Sequence, residues 1–99
     1  VQANILAATT MSDEAKNDVY NVACNARISL NQLFSVIRES LDALGVGGTK
    51  YPEYRDFRSG DVRHSQADIS KAQGGLGYEP SHSVDGGLVL AMPWYASLE

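Results

Sequence analysis

The sequence holds a single cysteine, Cys24, among 99 residues. A lone cysteine cannot close a disulfide within the chain, which excludes a stapled secreted scaffold and points to a cytoplasmic protein. No Cys–His spacing marks Cys24 as a nucleophile, and it reads as a small, half-buried residue at a strand end. Positive charge is also scarce. Eight Lys and Arg stand against twelve Asp and Glu, a net charge of −4. That balance disfavours a nucleic-acid partner or an anionic membrane for the chain as a whole. The basic residues gather only locally, at Arg55, Arg58, Arg63 and His64. No apolar run approaches the ~20 residues that a membrane-spanning helix needs. The opening VQANILAATT lacks the basic start of a signal peptide. The start at Val1 and an uncapped first helix read as those of an excised piece, and the final Leu98-Glu99 pair is set aside as a cloning scar.

Catalytic patterns are missing too. The glycine clusters at 45–48 and 74–77 have the wrong spacing for a dinucleotide fingerprint. No tyrosine is followed four residues later by lysine. His64 and His82 fall in no metal-ligand pattern and read as exposed polar residues. No catalytic, cofactor-binding or metal-binding residue is therefore assigned within the chain.

What is present is a globular composition, with 43% hydrophobic and 20% charged residues, enough for one domain over residues 1–99 with a modest core. Residues 1–10 read as a helix with Val1, Ile5 and Leu6 on one face. Residues 18–23 (DVYNVA) read as a strand through Val19, Tyr20 and Val22, and residues 53–57 as a second, shorter one. Residues 29–44 form the strongest helix. Ser29 is a natural N-cap and Gln32 completes a capping box. Leu30, Leu33, Phe34, Ile37, Leu41 and Leu44 recur on one face as core, and Gly45 supplies the stop. Asp68 is expected to cap a helix running to Leu76, frayed by Gly74 and Gly75. Ser83 caps a last helix with Val84, Leu88, Ala91, Met92 and Tyr95 inward, which Pro93 should kink or tighten.

The informative stretch is RDFRSGDVRHSQADISKAQGGLGYEP, residues 55–80. Arg58 and Asp61 flank a Ser-Gly turn. A guanidinium there can fork onto phosphate oxygens, and a carboxylate three residues on can accept hydrogen bonds from sugar hydroxyls. The pairing suits a nucleoside diphosphate. The same spacing fits equally an exposed Arg–Asp pair that contributes little.

This stretch resembles the C-terminal signature of extended short-chain dehydrogenase/reductases, in particular the bacterial UDP-N-acetylhexosamine 4-epimerases. The matching residues are Arg58, Gly60-Asp61, Ala67-Asp68-Ile69-Ser70-Lys71-Ala72 and Leu76-Gly77-Tyr78-Glu79-Pro80. Tyr20-Asn21-Val22 before the capped helix and the ending Met92-Pro93-Trp94-Tyr95 extend the likeness through nearly the whole chain. Gly74-Gly75 departs from it, where the family has good helix formers.

The resemblance implies an α/β fold class: a mixed α+β substrate-binding part, helices packed on a few short strands, from a Rossmann-type enzyme. The NAD-binding domain, with the catalytic Ser/Thr, Tyr and Lys, would be absent. It further implies that the parent, a homodimer, interconverts UDP-N-acetylglucosamine and UDP-N-acetylgalactosamine through a 4-keto sugar, with NAD as cofactor. Within this chain it assigns Arg58 to the pyrophosphate, Asp61 to the ribose and Ser65 to the wall of the hexose pocket. Two other readings stay open at this point. One is a self-standing module that binds a nucleotide or a protein without catalysis. The other is a dehydratase or decarboxylase on the same scaffold, because fold resemblance does not fix reaction type.

Overall fold

The computed structural model describes residues 1–98; Glu99, half of the terminal pair set aside above, lies outside the described residues. The regular elements among them are helices: α1 (Gln2–Thr9), a 3-10 turn (Asp13–Ala15), α2 (Leu30–Ala43), α3 (Ser70–Leu76) and α4 (Val84–Ala96). No strand is present among the described residues, so the α/β expectation of helices packed on short strands is overturned. The residues at 18–23 have the composition of a strand but no second strand to pair with. Their backbone groups are taken up instead by side chains. Lys71 Nζ donates to the Val19 carbonyl at 2.9 Å, Tyr78 Oη donates to the Ala23 carbonyl at 3.0 Å, and Asp18 Oδ1 accepts from the Val19 N–H at 2.7 Å. Residues 53–57 likewise form no strand, and all five are exposed.

The chain divides into two compact units, each built from two stretches of sequence. The first comprises residues 1–26 and 65–81. Its core is Ala3, Ile69, Ala72 and Tyr78, with Leu6, Tyr20 and Ala23 packed against it. Ile69 is the largest side chain wholly removed from water, which stabilises the unit by roughly 1.5–3 kcal/mol. In α1 the inward residues are Ala3 and Leu6, whereas Val1 and Ile5 are exposed. Small Ala3 is what allows α1 to lie close to α3. At the start of α3, Asp68 acts one step earlier than a cap. Ile69 occupies the cap position, and the Asp68 carboxylate accepts from both the backbone N–H and the hydroxyl of Ser70. The helix ends at Gly77, whose φ of +66° is the left-handed turn that glycine adopts without strain. The N–H of Tyr78 then returns to the Ala72 carbonyl at 3.2 Å and tucks the Tyr78 ring inward. Cys24 is exposed and belongs to no strand.

The second unit comprises residues 27–64 and 82–99 and packs α2 on α4. The α2 capping box is formed as the sequence predicts. Ser29 Oγ accepts from the Gln32 N–H at 3.1 Å, and Gln32 Oε1 accepts from the Ser29 N–H at 3.0 Å. Gly45, at φ +72°, ends the helix, with the Val46 N–H returning to the Leu41 carbonyl. Of the apolar stripe, Leu33, Phe34, Ile37 and Leu41 are half-buried, but Leu30 is 82% exposed and no α2 residue is fully buried. In α4, Ser83 Oγ accepts from the Gly86 N–H at 3.1 Å. Met92 is buried and Val84, Leu88 and Ala91 half-buried, while Tyr95 is exposed against expectation, its ring edge-on to that of Trp94. The helix runs on past Pro93, which brings no N–H for the carbonyl four residues before it.

Candidate functional site

Arg58, Ser59, Gly60 and Asp61 form a tight turn in the second unit. The Asp61 N–H donates to the Arg58 carbonyl at 3.1 Å. Gly60 at φ +88° supplies the third position, which in a type II turn requires a left-handed residue. The turn brings the two candidate side chains together. Asp61 Oδ2 accepts from the Arg58 backbone N–H at 3.1 Å and from Arg58 Nε at 3.3 Å. The Arg58 side chain is 87% exposed and that of Asp61 36%. As an ion pair this contact contributes only about 0–1 kcal/mol. As a presented surface it offers a fork-shaped cation beside a carboxylate, and the exposed guanidinium keeps its outer donors facing solvent.

Two further arginines flank the turn. Arg55 is tied to Glu53, through Nε at 2.8 Å and Nη2 at 2.7 Å. Arg63 lies over the Phe57 ring, its Cζ 4.7 Å from the ring centroid. This stack was not apparent from the sequence alone. The signal for it was an aromatic residue and an arginine placed just outside the two ends of a glycine turn. Ser65, the third residue assigned by resemblance, falls in the first unit, where it is exposed.

Residues 67–78, which carry much of the resemblance, make structure rather than a site. Ile69, Ala72 and Tyr78 are core. Lys71 clamps the segment at 18–20. Its Nζ meets Asp18 Oδ1 and the Val19 carbonyl, both at 2.9 Å, and lies 5.2 Å from the Tyr20 ring centroid. The hydrogen bond from Lys71 holds the Asp18 carboxyl below its ordinary value of 3.8, aided by the Val19 N–H. The Ser70 hydroxyl and N–H lower Asp68 in the same way. Among the described residues no three of His, Cys, Asp and Glu gather as a metal site would require. No helix among the described residues is long and apolar enough to cross a membrane.

No family model matches the chain. A UDP-glucuronate 4-epimerase of Thermodesulfobacterium geofontis (strain OPF15) is 34% identical over 67 residues, which take in 68% of this chain and 19% of that protein. The chain is thus similar to a part of a nucleotide-sugar epimerase and spans about a fifth of its length. The likeness supports an epimerase-like part.

Proposed function

We propose that the chain is the substrate-binding part of an NAD-dependent nucleotide-sugar 4-epimerase acting on UDP-N-acetylglucosamine and UDP-N-acetylgalactosamine. The observation that carries this reading is the Arg58–Asp61 turn. It presents a phosphate-seeking fork and a hydroxyl-seeking carboxylate side by side, with Arg58 almost wholly in solvent. Arg58 grips the pyrophosphate and Asp61 accepts from the ribose hydroxyls. Because the Arg58–Asp61 pair is exposed, exchanging it for ligand contacts costs little. Ser65 is assigned to the hexose wall by the resemblance alone, as a side chain small enough to leave room for an acetamido group. Anchoring the UDP end holds the sugar near the chemistry while the hexose turns.

The residues of this chain do not fit a dinucleotide. Gly74 and Gly75 lie within α3, and the glycines at 45–48 follow the end of α2, so neither group forms a strand-to-helix phosphate loop. In this reading NAD is held by the remainder of a cytoplasmic, homodimeric parent. A second reading is favoured by the relative's own activity: UDP-glucuronate in place of the acetylated sugars.

The test is kinetic, in the full-length parent. Arg58→Ala should weaken UDP binding by about 10- to 100-fold, as loss of a charge-assisted contact does. Ser65→Tyr should cut kcat/KM for the acetylated pair while sparing UDP-glucose and UDP-galactose. An unchanged KM in Arg58→Ala would show a mere surface charge. Turnover of UDP-glucuronate above that of the acetylated sugars would select the second reading.

A further inference from the structure

The three arginines of residues 53–63 are chemically unequal. Arg55 is bound twice by the Glu53 carboxylate. Arg58 is held through Nε by Asp61. Among the described residues Arg63 has no carboxylate within ion-pair distance, although Asp56 lies in the same segment. Its guanidinium instead lies over Phe57, a ring that is itself 68% exposed. A cation seated over a ring, its Cζ 4.7 Å from the centroid, is held by the aromatic face and not by an acceptor, which leaves its N–H donors available for bidentate bonds. This seating also removes much of the rotamer freedom that an arginine otherwise loses on binding.

Resting on the nucleotide-sugar reading, we propose that Arg63, shelved on Phe57, is a second oxyanion grip of this segment, one that takes a pair of diphosphate oxygens. Recruiting Arg58 means loosening its contact with Asp61. Recruiting Arg63 breaks no ion pair. Phe57 acts as a positioning residue by holding the guanidinium plane still.

The experiment is an NMR titration of the 99-residue chain with inorganic pyrophosphate and, separately, with UDP, following the Arg63 Nε–Hε and Phe57 ring signals. Both probes should shift these signals. Arg63→Ala should weaken both by about tenfold or more, the usual scale of a charge-assisted contact. Arg63→Lys should recover only part of this, since an ammonium has no fork and stacks poorly. Phe57→Leu should weaken binding less than Arg63→Ala, with circular dichroism unchanged in every variant. Wild-type affinity in Arg63→Ala overturns the proposal. If Arg58→Ala then loses UDP, the nucleotide-sugar reading still stands. Arg63-dependent binding of pyrophosphate with UDP bound no better supports the grip and counts against the nucleotide-sugar reading. Binding of neither probe by the wild-type chain overturns the grip, while the parent's kinetics judge the broader reading.

Discussion

Gly75 faces the ring of Tyr20. A Cβ added there would meet Tyr20 Cε1 and Oη at 3.3 Å, whereas one added at Gly74 would meet open space. The ring has little freedom to retreat, because its hydroxyl donates to the Ala15 carbonyl at 2.7 Å and Lys71 lies over its face. Alanine in place of glycine inside a helix gains about 0.4–1 kcal/mol. At position 74 nothing opposes that gain, so Gly74→Ala should raise Tm by about 2–8 °C for a domain of this size. At position 75 the crowded ring opposes it, and Gly75→Ala should raise Tm less or lower it. Equal increases in thermal unfolding would show that the ring yields freely. This contact also accounts for one glycine of the pair at which the chain departs from the family pattern: Gly75 is the space into which Tyr20 packs. Nothing in the structure explains Gly74.

Between elements, the bonds that hold residues 18–23 against α3 are partly ionic and titrate with acid. Asp18 and Asp68 both have pKa values depressed below 3.8. Their contribution to stability is complete above that value and is lost as the pH falls through the lower folded values. Helix content should therefore hold constant down to about pH 4 and fall below it, and Asp18→Asn should flatten part of that fall when followed by circular dichroism. An acid transition of identical depth in the variant would exclude the Lys71 clamp as a contributor. The same bonds explain what could be read in advance. The Ser29–Gln32 box and the Gly45 stop are settled by residues within a few positions of one another, and both stand as the sequence predicts. The Arg58–Asp61 ion pair, one of the two arrangements that the spacing allowed, is also made across only three positions. The Lys71–Val19 bond spans 52 positions and the Tyr78–Ala23 bond 55. No local pattern foretells such bonds, and they are what turned a strand-like run into a side-chain-tethered loop. The Phe57–Arg63 stack lay within reach of the sequence but needed the turn's geometry before the two residues could be joined.

At the scale of the molecule, large apolar side chains stay in water. Leu90, Trp94, Tyr95 and Leu98 at the end of the chain are each more than half exposed, as are Val1, Ile5 and Met11 at its beginning. Apolar surface of this extent favours association. Sedimentation should show self-association rising with concentration, and an apolar dye should bind the monomer; a dye-silent monomer at high concentration would contradict this. The interleaving of the two units carries a last consequence, for synthesis. Ala3 leaves the ribosome long before Ile69 and Ala72, the residues that cover it. At roughly 5–20 residues per second the nascent chain holds α1 uncovered for seconds while a stretch belonging to the other unit is being made. A ribosome stalled before residue 65 would display an α1 still without Ile69 and Ala72, its core partners, and during that interval a chaperone that grips short apolar helices would compete directly with folding.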